Sequence, residues 1–265
     1  MSLRFDVVTL FPEMLEALTR FGITGRAVQQ GLASVHGHQL RDYAHDAYKT
    51  IDDRPYGGGP GMVMMPGPLT EAVESIRDRQ TAAGLAPGPV VLLSPSGRPI
   101  DQALVDRVAQ GPCWTLVCGR YEGVDQRFID QQVDELWSLG DFVLSGGEIA
   151  AMAVMDAAIR KLPGALGDAE SAVQESFSGA GPGQGLLDWP HYTRPEVFRG
   201  ATVPDVLLSG HHERIADWRK KAAFEATSSL RPDLLTAKKP KRLHNVYPSS
   251  GLKWSPRWFL EKSWI

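Results

Sequence analysis

Three short apolar runs in the middle of the chain are each followed by a loop that contains glycine. The runs occupy residues 90–93, 114–118 and 142–144. Apolar runs of this length, bounded by turn residues, are typical of buried strands. If the three strands are parallel neighbours, their loops meet at one edge of the sheet, where open α/β sheets bind ligands. The pattern therefore predicts an α/β fold with a ligand site built from three loops.

The most informative stretch is 138–148, which reads Ser-Leu-Gly-Asp-Phe-Val-Leu-Ser-Gly-Gly-Glu. It predicts a buried strand at 142–144, a glycine turn, and a helix of alanine and methionine that begins near Ile149. A strand, turn and helix in this order expose backbone N–H groups to a ligand. None of the three loops contains G-x-G-x-x-G or a Walker sequence, so a Rossmann or P-loop nucleotide site is not supported.

The remaining pattern predicts helices and one long loop around this centre. A strand is expected near residues 5–10, and helices near 12–20, 69–79, 101–109 and 211–227. The segment 52–62 holds four glycines and two prolines and is predicted to lack regular structure. Its composition fits either a substrate loop that uses Asp52, Asp53 and Arg54, or an exposed connection. Residues 163–190 have the composition of a flexible linker.

Composition and charge narrow the class of protein. The chain has 265 residues, 43% of them hydrophobic, and no apolar run reaches the roughly 18 residues of a membrane span. Its start has no signal-peptide pattern, and its two cysteines, Cys113 and Cys118, lack the second pair of a zinc site. We expect both to be buried thiols of a cytoplasmic protein. Residues 1–188 carry a net charge of −10 and residues 189–265 a net charge of +7, which favours an anionic partner for the C-terminal part.

Six motifs in fixed order carry a resemblance to a known family. They are Leu-Phe-Pro-Glu-Met (10–14), Asp-Arg-Pro-Tyr-Gly-Gly-Gly-Pro-Gly-Met (53–62), Leu-Ser-Pro-Ser-Gly-Arg (93–98), Cys-Gly-Arg-Tyr-Glu-Gly (118–123), Gly-Asp-Phe-Val-Leu-Ser-Gly-Gly-Glu (140–148) and His-Tyr-Thr-Arg-Pro (191–195). Together they resemble the bacterial tRNA (guanine-N1)-methyltransferases of the SPOUT class, from about residue 3 to Leu235. The segment after Leu235 does not resemble the family.

The resemblance implies a homodimer whose N-terminal α/β domain (1–161) has a parallel sheet and a deep trefoil knot, an exception to the usual rule against threading. A linker (162–188), a small helical tRNA-binding domain (189–236) and a basic tail (237–265) are expected to follow. S-adenosylmethionine would bind in the knot loops. By resemblance its contacts are Leu93, Ser94, Pro95, Gly119, Tyr121, Gly123, Leu139, Gly140, Asp141, Phe142, Val143, Leu144 and Gly146.

The family methylates N1 of the guanine just 3′ of the anticodon, at position 37 of tRNA. Because that nitrogen carries a proton, a carboxylate base should accelerate the reaction, and a cation near O6 should stabilise the charge that develops. Arg160 matches the family's arginine. The family's aspartate base falls on Glu175, which is one methylene longer. Asp168 and Asp188 are alternative bases, and Glu175 could instead be a solvated linker acid.

The resemblance also assigns an RNA surface. We expect the tRNA anticodon stem-loop to contact Asp53, Arg54, Glu122, Asp188, His191, Arg194 and Arg219. The target base must be extruded from the stack before it reacts. Magnesium is associated with the family's reaction, but no metal ligand is assigned. Two alternatives remain at this point: a knotted methyltransferase acting on another RNA site, and a tRNA-binding protein whose catalysis is impaired by the change at Glu175.

Overall fold

The computed structural model describes residues 2–167, 175–178 and 185–236. Its strands are β1 (Leu3–Thr9), β2 (Ala33–Gln39), β3 (Asp52–Asp53), β4 (Val63–Met64), β5 (Val90–Pro99), β6 (Cys113–Cys118), β7 (Glu135–Ser138), β8 (Val197–Phe198) and β9 (Ala201–Thr202). Its α-helices are α1 (Glu16–Thr19), α2 (Gly22–Gln29), α3 (Pro66–Ala82), α4 (Gln102–Gln110), α5 (Gln126–Gln132), α6 (Glu148–Ile159), α7 (Asp205–Leu208) and α8 (His212–Leu230). Short 3₁₀ turns cover Pro12–Leu15, Leu40–Tyr43 and Pro232–Leu234.

Five strands form one sheet in the order β2-β1-β6-β5-β7, and every neighbouring pair is parallel. The predicted α/β fold with a parallel sheet is therefore confirmed. Leu93 pairs with Cys118 of β6 and with Trp137 of β7. This register places Leu93, in the first half of β5, beside the carboxyl ends of β6 and β7. The pairing of β5 with β7 shifts between Leu93 and Arg98, so the segment predicted as the first loop lies inside β5.

Alternate residues of the central strands supply two hydrophobic cores, one on each face of the sheet. Phe5 and Leu116 belong to the core that is covered by side chains of α2, α4 and α6. Val8 and Val117 belong to the core that is covered by α3 and α5. All six residues of β6 are buried, as expected for a strand that is covered on both faces.

Two strand predictions were wrong. Residues 142–144 do not form a buried strand; Phe142 is 53% exposed and Val143 is 84% exposed. The third strand is instead β7, which begins seven residues earlier. Its four-residue sequence Glu-Leu-Trp-Ser is short, and an acidic residue precedes it, so it gives no clear apolar run. The glycine-rich segment 52–62 was predicted to be irregular, but its first residues pair with Val63 and Met64 as the short antiparallel ladder β3–β4.

Other predictions of local structure are confirmed. Helix α6 begins at Glu148, and Asp101 caps α4 by accepting a hydrogen bond from the Leu104 backbone N–H at 2.9 Å. Cys113 and Cys118 are buried free thiols, and burial raises the pKa of both. The C-terminal part contains α7, α8 and a small core around Trp189, together with the hairpin β8–β9 that was not predicted. Asp168, the segment 179–184 and the tail 237–265 lie outside the described residues.

Candidate active site

One cleft of about 320 Å³ is lined by residues 92–95 of β5, by the loop after β6 and by the loop after β7. The loop after β6 is as predicted, whereas the loop after β7 contains residues 142–144, which were expected to form a strand. Twelve of the thirteen residues expected to contact the cofactor lie in its wall; Asp141 does not. Glu122, which was expected to contact tRNA, lines the same cleft. Wall residues that were assigned neither to the cofactor nor to tRNA are Leu92, Arg120, Val124, Ile129, Trp137, Ser138, Ser145, Gly147 and Ala150. The cleft is at the lower end of the size range of small-molecule sites.

The glycine-rich segment between β3 and β4 is anchored to the second loop of the cleft. The Met64 N–H donates to the Gly123 carbonyl at 2.9 Å, and the Glu122 N–H donates to the Met62 carbonyl at 3.0 Å. Tyr121 adopts the left-handed conformation, with φ of 60°. Burial, and then the charge of Asp52 and a hydrogen bond with it, raise the pKa of the Tyr121 phenol. The tip of this segment projects outward, since Tyr56 is fully exposed.

A buried ion pair links the second and third loops of the cleft. The Arg120 guanidinium donates to Glu148 through Nη2 at 2.9 Å, and the Thr9 hydroxyl donates to the other carboxylate oxygen at 2.7 Å. The side chain of Glu148 is 1% exposed, so its charge depends on these partners. The Gly147 N–H also donates to the Gly119 carbonyl at 3.0 Å. Sequence analysis missed this pair because its members are 28 residues apart and neither lies in a periodic pattern.

Glycine is required at Gly146 for a reason that does not apply at Gly119. A Cβ at Gly146 would collide with Arg120 Nε and with Glu148 Oε2, whereas a Cβ at Gly119 would meet nothing closer than 3.6 Å. We expect Gly146→Ala to displace Arg120 and to weaken binding of S-adenosylmethionine at least tenfold, because the two loops lose their common anchor. Calorimetric titration of each variant measures the effect.

The control for this prediction is Gly67→Ala, since Gly67 has open space around its Cβ position and lies outside the cleft wall. It should bind the cofactor with the affinity of the original chain. Gly119→Ala should fold normally, and any loss of affinity there would come from direct contact with the ligand. If Gly146→Ala binds as tightly as Gly67→Ala, the anchoring role of the buried pair is wrong.

A second group of charges lies at the opposite end of α6. Arg160 Nη1 donates to Glu175 Oε2 at 2.5 Å, so the two residues expected to act in catalysis are in direct contact within one chain. Lys161 Nζ lies 3.8 Å from Glu175 Oε1 and 3.4 Å from Asp106 Oδ1. Glu175 Oε1 is buried and accepts no hydrogen bond from the described residues.

This second group is distant from the cleft of its own chain. The cleft is lined by Gly147 and Ala150 in the first turn of α6, while Arg160 follows the last residue of that helix. Ten residues separate Ala150 from Arg160, which corresponds to about 15 Å along the helix axis. The sequence placed these residues in one active site; the structure separates them within the chain.

A third group combines aromatic and charged side chains of the C-terminal part. Asp188 Oδ2 lies 2.8 Å from His191 Nε2, and the guanidinium carbon of Arg219 lies 4.7 Å from the centre of the Trp189 ring. Arg219 Nε is buried and has no hydrogen-bond partner among the described residues. Tyr192 lies against Trp218, with ring centres 6.3 Å apart. Of the other residues expected to contact tRNA, Asp53, Arg54 and Arg194 are exposed.

Two features are absent from the described residues. No helix among them is long and apolar enough to cross a membrane. No group of three or more His, Cys, Asp or Glu side chains in the described part of the chain could hold a metal ion. The association of magnesium with the reaction stays an expectation from the resemblance.

Comparison with known proteins gives a consistent result. A sequence model of the family described as tRNA (Guanine-1)-methyltransferase TrmD matches residues 3–237. A tRNA (guanine-N(1)-)-methyltransferase of Polynucleobacter asymbioticus is 58% identical over 233 residues, which is 88% of this chain and 92% of the relative. Proteins of the same name from Ralstonia nicotianae and Bordetella pertussis are 57% and 56% identical, covering 89% and 88% of this chain and 87% and 90% of the relatives.

Proposed function

The chain belongs to the tRNA (guanine-N1)-methyltransferase family and has that activity, and from this premise we propose that it methylates the guanine just 3′ of the anticodon at a site shared by two subunits. The observation that carries the proposal is the contact between Arg160 and Glu175, because it supplies a base and a cation side by side. N1 and O6 of guanine are attached to the same carbon, so a neighbouring base and cation match them.

Membership of a methyltransferase family implies S-adenosylmethionine, and the cleft fits such a molecule. Its floor is apolar and partly aromatic, its loops approach through glycine backbone, and its polar groups include Ser94, Tyr121 and Ser138. We assign the cofactor contacts to the thirteen residues expected from the resemblance, with Asp141 at the margin of the cleft. When bound, the cofactor supplies the methyl group.

The chain's own side chains then act on the guanine. Glu175 accepts the N1 proton and leaves the N1 lone pair free to attack the methyl carbon. Arg160 donates to O6 and stabilises the negative charge that moves onto the base. A positioned general base contributes roughly 10²–10⁴-fold. The mechanism therefore assigns the proton to Glu175 and the charge to Arg160.

The separation along α6 supports a shared site. Arg160 is about 15 Å from the start of its own cleft, so we propose that Arg160 and Glu175 act on the cleft of the partner subunit. If a two-fold axis sets two copies of α6 antiparallel, the end of one helix meets the start of the other. Phe142, Val143 and Ile149 are exposed apolar residues around the start of α6, and a partner would cover them.

The tRNA would contact the surfaces that carry the remaining predicted residues. We assign Asp53, Arg54, Glu122, Asp188, His191, Arg194 and Arg219 to the RNA surface, with Glu122 at the mouth of the cleft. The guanidinium of Arg219 is stacked on Trp189 and the residue is partly exposed, which suits a contact with phosphate. We retain the domain division at 161, 188 and 236 and the trefoil knot as parts of this proposal.

One assay tests the proposal. Unmodified tRNA is incubated with the protein and labelled S-adenosylmethionine, and the product is digested to nucleosides and mapped. We expect N1-methylguanosine at the position just 3′ of the anticodon. A methylated ribose, a methylated ribosomal RNA or a different tRNA position would contradict the assignment, and tRNA binding without methyl transfer would indicate impaired catalysis.

A further inference from the structure

Lys161 lies beside Glu175, the proposed base, and the established activity does not explain its position there. It follows Arg160 directly in the chain, so Glu175 lies between two consecutive cations. Lys161 Nζ also lies 3.4 Å from Asp106 Oδ1, and the Gln102 side-chain amide donates to that oxygen at 3.0 Å. Gln102 and Asp106 both belong to α4, whose inner face packs in the core with α6. Lys161 thus connects the segment around Glu175 to the sheet domain.

The two oxygens of Glu175 have different surroundings. Oε2 accepts the hydrogen bond from Arg160 at 2.5 Å. Oε1 is buried and accepts no hydrogen bond from the described residues, although Lys161 Nζ is within ion-pair distance at 3.8 Å. Arginine and a carboxylate often pair through two parallel hydrogen bonds, which would occupy both oxygens. In this chain Arg160 pairs with Glu175 through Oε2 alone, and the charged amino group of Lys161 lies near Oε1.

We propose that Lys161, anchored by Asp106, is a positioning residue that prevents Glu175 from pairing with Arg160 through both oxygens. Oε1, which is buried in the free chain, thereby stays without a hydrogen bond from the described residues and takes the guanine N1 proton once tRNA binding uncovers it. The inference rests on the proposed function, in which Glu175 is the base. Proton transfer forms an O–H bond at Oε1 and breaks the N–H bond at N1, whose electron pair then forms the bond to the methyl carbon. With the cofactor bound, the bond between its sulfur and that methyl carbon would break, and the electron pair would stay on the sulfur. Lys161 contacts neither the guanine nor the cofactor in this role.

The test compares single-turnover methyl transfer at saturating tRNA and cofactor. Lys161→Met keeps the length of the side chain and removes its charge, and we expect the rate to fall about tenfold because the carboxylate is misplaced by a fraction of an ångström. Affinity for S-adenosylmethionine should stay the same, since Lys161 contacts no cofactor in this role. Lys161→Arg should recover most of the rate, and Asp106→Asn should cause a smaller loss of about threefold.

A matched control and a double variant complete the test. Arg20→Met removes one cation from an exposed ion pair with Glu16 and should transfer methyl groups at the unaltered rate. In a chain that already carries Glu175→Gln, adding Lys161→Met should cause no further loss, because the group it positions is absent. If the two losses multiply, Lys161 acts elsewhere and the inference is wrong.

The outcomes separate this inference from the proposed function. If Glu175→Gln transfers methyl groups slowly but Lys161→Met transfers them at the original rate, only the role of Lys161 is overturned. A Glu175→Gln at the original rate overturns the assignment of the base and, with it, the role of Lys161. A Lys161→Met that loses cofactor affinity or melts at a lower temperature, in proportion to its rate, would show a structural role and contradict positioning.

Discussion

Glu175→Gln should lower the single-turnover rate of methyl transfer by a factor of roughly 10² or more. The amide keeps the size of the side chain and can still accept the hydrogen bond that Arg160 donates at 2.5 Å. It cannot accept the proton of guanine N1 at neutral pH, so the chemical step loses its base. Affinity for S-adenosylmethionine should stay nearly unchanged, because Glu175 is assigned to the guanine and not to the cofactor contacts. A rapid-quench measurement at saturating substrates gives the rate.

Glu175→Asp is the matched variant for this prediction. It restores the carboxylate and the residue type that the family uses, so it should retain far more activity than the glutamine variant. Its side chain is one methylene shorter, which withdraws the oxygens from Arg160 unless the segment 175–178 moves with it. A glutamine variant that transfers methyl groups at the original rate would remove Glu175 from the reaction, and Asp168 and Asp188 would be tested next.

The parallel sheet and the loop after β6 could be predicted because the signal is local. Buried parallel strands such as β6 are continuous apolar runs, and a glycine that follows such a run marks the loop. The same reasoning failed at 142–144, where an apolar run lines the cleft wall in part and is exposed in part. A run of three apolar residues has the same sequence pattern whether it is buried in a core or lines a ligand cleft. Periodicity alone could therefore not distinguish a buried strand from a cleft wall.

The charged contacts of the site were not predictable from local pattern. Thr9 and Glu148 are 139 residues apart in the sequence. They form a hydrogen bond only because the end of β1 lies next to the start of α6 in the folded chain. Arg160 and Glu175 were predicted by resemblance, but their position relative to the cleft was not. A resemblance transfers the identity of residues, whereas the distance along α6 is a property of the folded chain. That distance is what raises the question of which subunit each group serves.

Mixing two inactive chains should restore about half of the activity of the original dimer. One chain carries Gly146→Val, which disrupts its cleft through Arg120 and Glu148, and the other carries Glu175→Gln, which removes its base. In a mixed dimer, the intact cleft of the second chain receives the intact Arg160 and Glu175 of the first. One of the two sites is then complete. Each homodimer alone should show roughly 10² times less activity than the original.

A second mixture tests whether Arg160 and Glu175 of one site come from the same chain. Arg160 and Glu175 touch in one chain, so a dimer of Arg160→Ala with Glu175→Gln has one defective group at each site and should recover no activity. Dual affinity tags isolate the mixed dimers, and single-turnover transfer to unmodified tRNA measures them. Recovery in this second mixture, with none in the Gly146→Val mixture, would mean that the base and the cation come from different subunits. No recovery in either mixture would place the cleft, Arg160 and Glu175 of one site on the same chain, against the 15 Å or so that α6 sets between them.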